Sequence, residues 1–290
     1  MAEAPQISVV IPAHNAASTL GEQLTALTNQ QTTLPFEVVV VDNGSTDSTA
    51  ALLREYEQLD PRITSLLANA MNTPGYSRNA GVAVARASKL AFCDADDVVE
   101  PDWVETMAAA LDEHAVVQGK IDYTMLNPPW MHEVRGSTSV DRLGYTDGVF
   151  PYVVSACLGV RRQAFDLAGG FDEQMRVGQD VEFSWRLFQA GIDVGFDERV
   201  QVNYRLRTTA SANFRQSTNY GRARMEIRRR MRAAGFTDVG GVKWRNLLWL
   251  ARHVGTTITR AGRYRWLVVA GNLWGEIRGP APLIERSKIS

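Results

Sequence analysis

Along the first hundred positions, apolar residues come in short unbroken blocks separated by stretches of helical spacing. The blocks are 7–13 (ISVVIPA), 36–42 (FEVVVVD), 62–68 (RITSLLA) and 89–94 (KLAFCD). Between them lie 18–30, 45–59 and 75–87, which repeat apolar residues every three or four positions; the first two open on Ser or Thr able to cap a helix. Apolar runs that do not alternate mark strands buried on both faces, as in a parallel sheet. The pattern therefore predicts βαβαβαβ, an α/β fold built on an open, doubly wound, mostly parallel sheet. Ligands of such sheets bind beyond the carboxyl ends of the strands. Here those ends read PAHN, VDNGS and CDADD, so three polar clusters converge on one edge.

Beyond residue 100 the pattern is less regular. Residues 125–150 form a polar Gly- and Pro-containing stretch, long enough to read as a substrate loop or lid. Residues 152–162 are strand-like, 168–173 (AGGFDE) are a turn, and 178–191 are a helix that begins with acids and ends at Gly191. Residues 192–207 are extended. From about 211 the chain turns helical and basic. Two parts follow: 1–210, an α/β domain, and 211–290, a basic amphipathic helical region.

Composition narrows the class. The 290 residues are 45% hydrophobic and 22% charged, enough for a full core. Two cysteines, Cys93 and Cys157, have no metal-ligand spacing, and a reducing compartment is expected. The first strand starts directly after MAEAPQ, leaving no room for a secretory signal, so a cytoplasmic location is expected. The net charge of −1 conceals an asymmetry. Residues 1–198 carry 12 Lys and Arg against 28 Asp and Glu; residues 199–290 carry 19 against 4, balances of −16 and +15. Such a tail suits an anionic partner, or it packs against the acidic half of its own chain.

Chemistry concentrates at 91–103, AFCDADDVVEPDW, where an apolar run ends in Asp94, Asp96 and Asp97. Two readings stand on the local pattern. The acids and Pro101 open a helix on a solvated turn, or the carboxylates hold a hard cation such as Mg²⁺ or Mn²⁺ beside a substrate's phosphates. Asp42 likewise ends a strand, where it makes an Asx turn or bonds a base or ribose.

The ordered set VVIPAHNAASTL, VVVVDNGSTDST, SRNAG, DADD, GGFDE and GQDVEFSWRL resembles the inverting glycosyltransferases of family 2, with the GT-A fold, over roughly residues 6–210. Each motif alone is weak; the order is specific. The resemblance implies a nucleoside-diphosphate sugar donor, with a UDP sugar expected, and a glycan, lipid-linked or small-molecule acceptor. It puts Pro12, Ala13, His14 and Asn15 along the nucleotide pocket, Asp42 on the base, and Arg78 and Asn79 near the nucleotide. Asp94 and Asp96 become the D-x-D pair: Asp94 towards ribose and metal, Asp96 on the Mn²⁺ or Mg²⁺ that bridges the diphosphate. Asp180 becomes the catalytic base, with Glu182 and Trp185 on the same helix either near the acceptor or structural.

The chain departs from the family in three places. Gln179 stands where an acid usually precedes the base, which eases ionisation of Asp180. Asn203 and Tyr204 occupy the region where some relatives supply a metal-binding His, so metal binding rests on the aspartates. FRQSTNYGRAR (214–224) matches the Gln-x-x-Arg-Trp element of processive relatives only loosely, and a single-addition enzyme is expected. A nucleotidyltransferase would carry a Gly-rich, Lys- or Arg-bearing first loop, which PAHNAAST lacks. A non-catalytic sugar-nucleotide-binding relative is the other reading. In the C-terminal part, 243–278 interleaves Trp and Leu with Lys and Arg. That composition suits peripheral attachment to the cytoplasmic face of an anionic membrane. No nucleic-acid-binding motif accompanies it. A homodimer through these helices is the alternative.

Overall fold

The computed structural model describes residues 3–284. Among the described residues, eleven strands and ten α-helices follow in chain order. They are β1 (Ile7–Ala13), α1 (Leu20–Thr28), β2 (Phe36–Asp42), α2 (Thr49–Leu59), β3 (Ile63–Leu67), α3 (Pro74–Val84), β4 (Lys89–Phe92), β5 (Val98–Val99) and α4 (Trp103–Glu113). Next come β6 (Val116–Asp122), α5 (Trp130–Arg135), β7 (Ser139–Val140), β8 (Gly144–Thr146), β9 (Phe150–Tyr152), β10 (Leu158–Arg161), α6 (Arg162–Leu167), α7 (Gln179–Gln189) and β11 (Val194–Asn203). The chain ends in α8 (Ala210–Ala233), α9 (Arg245–Arg252) and α10 (Arg260–Arg278). It divides into two compact units. The first takes the described residues of 1–122 and 139–204 with residue 284; the second takes 123–138 and 205–283. Residues 285–290 of the expected C-terminal region lie outside the described residues.

The first unit is built on a sheet ordered β3-β2-β1-β4-β10-β6-β11-β5, with β7 on β6. The four N-terminal strands pair in parallel, as their unbroken apolar runs require: every residue of β2 is buried. The second half is mixed. β10 runs antiparallel between β4 and β6, while β6 and β11 are parallel. The strand-like stretch at 152–162 resolves into β9, which forms a hairpin with β8, a turn of 3₁₀ helix at Ser155–Cys157, and β10. Helix α3 begins where Thr73 accepts the Tyr76 N–H, with Pro74 in the first turn. Phe92, Phe165, Phe171 and Phe183 interlock behind β4 and β10, with ring centroids 4.9 Å apart for Phe171 and Phe183. Cys93 and Cys157 are buried free thiols; burial pushes the Cys157 thiol up to about 12.

In the second unit, α8 and α10 pack along each other. Gly221, Gly271 and Gly275 let the backbones meet: a Cβ on Gly275 would fall onto the Thr218 carbonyl, and one on Gly221 onto that of Asn272. The crossing buries Glu276, which accepts from Arg224 at 2.6 Å and from the Lys243 N–H at 2.8 Å. Arg228 is fully buried and donates to the Gly241 carbonyl at 2.7 Å. Helix α5 joins through Val134 and Trp130, which pack with Ala261 and Tyr264. Part of the polar stretch expected as a loop therefore belongs to this helical unit, where Met131 and Val134 are buried.

Gly275→Val places a branched side chain where two helix backbones touch. It is expected to destabilise the second unit by about 1–3 kcal/mol, read as a lower urea midpoint for the loss of helical circular dichroism.

Candidate active site

Strand register fixes which loops meet. Ala13 pairs with Asp42, and Val10 with Phe92, so the loops after β1, β2 and β4 leave the same edge. The Asn43 N–H then closes onto the Ala13 carbonyl at 2.8 Å, and the Asn43 side chain donates to Ala68 and Met71 carbonyls.

Pro12 and Ala13 end β1, with Ala13 buried. His14 is exposed at the rim, and its Nδ1 donates to the Asn43 carbonyl at 2.9 Å. Asn15 has a left-handed backbone (φ 51°). Its Oδ1 accepts the Thr46 N–H at 2.7 Å, and its own N–H donates to Ser45 Oγ at 2.9 Å. The Asn15 side chain thus ties the first loop to the second. Asp42 is buried, and its Oδ1 accepts the Ser45 N–H at 2.8 Å, which fixes the start of the loop after β2.

Asp94, Asp96 and Asp97 follow β4. One oxygen from each lies within 4.8 Å of the others; Asp94 and Asp96 are partly exposed and Asp97 is fully buried. The loop is braced from α1. Gln23, fully buried, donates to the Asp94 carbonyl at 3.2 Å and accepts the Val99 N–H at 3.0 Å. Sequence reasoning missed Gln23; its signal was a polar residue on the helix stripe formed by Leu20, Leu24 and Leu27. Arg78 reaches the cluster from α3, with Nη2 2.5 Å from Asp94 Oδ1. Its side chain is 2% exposed, and its buried Nε and Nη1 make no hydrogen bond. The guanidinium lies 5.6 Å from the centre of the Phe171 ring.

Asn79 faces the GGFDE turn. It donates to the Phe171 carbonyl and the Glu173 carboxylate and accepts the Phe171 N–H, at 2.9, 3.0 and 2.9 Å. Thr73 adds a bond to the Glu173 carbonyl at 2.7 Å. The turn needs Gly169 and Gly170, both at positive φ. Its Phe171 is buried in the core.

Gly178, at φ 80°, turns the chain into α7, whose first two residues are Gln179 and Asp180. Burial pushes the Asp180 carboxyl above the usual range, against the Val181 N–H and the Arg78 charge, which favour the ionised form. Arg78 therefore acts on both Asp94 and Asp180. Ser184 holds this end of the helix: its hydroxyl donates to the Asp180 carbonyl at 2.7 Å and accepts the Val153 N–H at 3.0 Å. Gln179 is buried, and its Oε1 has no hydrogen-bond partner. Glu182 pairs with Arg186 at 2.6 Å, and Trp185 packs on Phe150 and Phe188. Asn203 donates to Glu100 at 2.7 Å and joins β11 to β5.

An all-oxygen donor set suits a hard divalent cation, and the close spacing of three carboxylates fits one. The edge thus combines an acidic cluster, a buried arginine with free donors, and a carboxylate of raised pKa at a helix start.

Comparison with known proteins agrees with this architecture. Solved structures share the GT-A glycosyltransferase fold. A mannosyltransferase from Pyrobaculum calidifontis, in complex with GDP-Man and Mn²⁺, superposes with a TM-score of 0.60 at 16% identity, over 94% of this chain and 88% of that one. Residues 1–349 of S. aureus TarS, in complex with UDP-GlcNAc, give 0.57 at 17% identity, over 94% and 90%. The model for glycosyl transferase family 2 matches residues 8–167, and that for glycosyl transferase family group 2 matches 90–275. The chain belongs to glycosyl transferase family 2. It is 27% identical over 281 residues to the pre-mycofactocin glycosyltransferase of Mycobacterium tuberculosis, covering 91% of this chain and 55% of that protein. It spans about half the length of that relative.

Asn79→Ala removes three hydrogen bonds across the α3–turn contact. The expected loss is about 1–3 kcal/mol of stability, measured by urea unfolding, with the GGFDE turn exchanging its amide hydrogens faster than in the wild type.

Proposed function

We propose that the chain is an inverting glycosyltransferase that moves a sugar from a UDP sugar to an acceptor hydroxyl, one residue at a time. The observation that carries the reading is the convergence of the Asp94–Asp96–Asp97 cluster, Arg78 and Asp180 on one edge of the sheet. Asp94 and Asp96 are the residues to hold Mn²⁺ or Mg²⁺, which when bound supplies positive charge to the departing diphosphate. The buried Nε and Nη1 of Arg78 make no hydrogen bond, and a phosphate oxygen is the acceptor that suits them. The backbone at Pro12, Ala13, His14 and Asn15 walls the nucleotide, with Asp42 beside the base. Asn79 acts on the donor indirectly, by holding the GGFDE turn.

Asp180 takes the proton from the acceptor hydroxyl. The freed oxygen attacks the anomeric carbon opposite the diphosphate, the carbon–oxygen bond to the diphosphate breaks, and the configuration inverts. A raised pKa makes Asp180 a stronger base than an ordinary aspartate, and Arg78 keeps its ionised form within reach at neutral pH. The acceptor is a glycan, a lipid-linked sugar or a small molecule. The setting on this reading is the cytoplasm, with the basic C-terminal unit meeting an anionic membrane surface rather than nucleic acid or a second copy.

Asp180→Asn is expected to lower kcat by about 10²–10⁴-fold while UDP still raises the melting temperature in the presence of Mn²⁺. Full activity in this variant overturns the assignment. The same substitution bears on stability. A raised folded-state pKa means that ionising Asp180 opposes folding, so wild-type stability falls as pH rises through that pKa. Asp180→Asn should therefore melt no lower than wild type at pH 7.5. Activity needs the ionised form, so the acid limb of the pH–rate profile should sit above the usual aspartate range. Gln179→Glu puts a second negative charge beside the base and should move that limb to higher pH.

A further inference from the structure

Helix α9 has no buried residue, although it lies in a folded unit. One side of it is anchored. Trp266 donates to the Leu250 carbonyl at 3.0 Å, and the Arg265 guanidinium lies 5.8 Å from the centre of the Trp249 ring. Trp249 in turn stacks on His253 at 4.2 Å. The opposite side carries Trp244, Leu247, Leu248 and Ala251, a spacing of three and four that makes one stripe. This stripe is exposed: Leu248 is 62% accessible. The following 3₁₀ turn, Val254–Ile258, extends it, with Val254 60% and Ile258 85% accessible. A run of large apolar side chains so open to water marks an interaction surface.

Charge identifies the partner. Residues 239–275 contain six Lys and Arg and no Asp or Glu. All six, Lys243, Arg245, Arg252, Arg260, Arg263 and Arg265, are exposed. On the helical wheel Arg245 and Arg252 lie beside the apolar stripe. A second copy docked on this face would bring two such cation sets together without a compensating acid in the segment. A polyanionic nucleic acid would leave the apolar stripe unused. An anionic bilayer uses both: acyl chains accept the Trp and Leu side chains, and headgroup phosphates pair with the arginines. Among the described residues no helix is long and apolar enough to cross a membrane, and α9, with eight residues, is far too short.

We infer that α9 and the turn after it form a membrane-docking surface, lying in the plane of the bilayer with Trp244, Leu247, Leu248, Val254 and Ile258 in the headgroup–acyl boundary. This deepens the membrane attachment stated above and stands independently of the catalytic assignment.

The test is sedimentation of the full chain with vesicles of phosphatidylcholine alone, or of phosphatidylcholine mixed with phosphatidylglycerol. It is run at low and high salt, alongside light scattering in solution. Wild type should pellet with the anionic vesicles at low salt and less at high salt. The variant Leu247→Ser, Leu248→Ser, Ile258→Ser should bind about tenfold more weakly or worse, and Arg245→Gln, Arg252→Gln should reduce binding to the anionic vesicles. All these side chains are exposed, so the variants should keep the wild-type melting temperature. Absence of wild-type binding to anionic vesicles overturns the inference, as does equal binding by the serine variant. A wild-type dimer that the serine variant dissolves, with no vesicle binding, also overturns it and assigns the face to a second copy.

Discussion

Three carboxylates placed at the end of one strand repel one another, and much of the first unit is arranged around holding them there. One oxygen of each lies within 4.8 Å of the others, close enough for like charges to oppose one another appreciably even at a protein surface. The fold tolerates this because the loop is fixed from several sides. Gln23 grips it from α1, β5 anchors its far end on β11, and Arg78 sets a positive charge against Asp94. An arrangement that spends buried hydrogen bonds to keep like charges together is costly for stability alone. It is useful where a cation and phosphates complete it.

Arg78 also links this cluster to Asp180 at the start of α7. The same guanidinium that pairs with Asp94 lowers the cost of ionising Asp180. Around these groups the remaining motif residues are braces. Asn15 ties loop to loop, Asn79 ties helix to turn, and Glu182 is paired with Arg186. Their side chains position the backbone that lines the site. The second unit solves a different problem. Its basic helices pack closely through glycines and bury Glu276 among Arg224, Arg228 and the Lys243 N–H, which leaves its remaining charge and its apolar α9 face outward.

The parallel half of the sheet and its order of elements were legible because periodicity is local: an unbroken apolar run of seven residues reads as a buried strand wherever it sits. The clustering of strand ends followed from topology alone. Harder to read were features that depend on distant partners. Asn79 meets Phe171 across 92 positions, and nothing around SRNAG announces the turn that its amide bonds. Asp42 ends β2 and accepts the Ser45 N–H, a contact that depends on how the following loop folds back. Strand β10 inserts antiparallel between β4 and β6 through pairing that no local pattern encodes. The Gly- and Pro-containing stretch after residue 122 looked like a loop because α5 is only six residues long, too short for a clear period.

The central claim is that the carboxylate cluster holds a divalent cation together with a nucleoside diphosphate. It is tested most directly by calorimetric titration of UDP, GDP, dTDP and CDP, with Mn²⁺ and with EDTA, into wild type and Asp96→Ala. UDP should bind wild type in the presence of Mn²⁺, with affinity lost in EDTA and in the variant. Binding that is equally tight in EDTA and in Asp96→Ala, or no binding by any nucleotide, would contradict it.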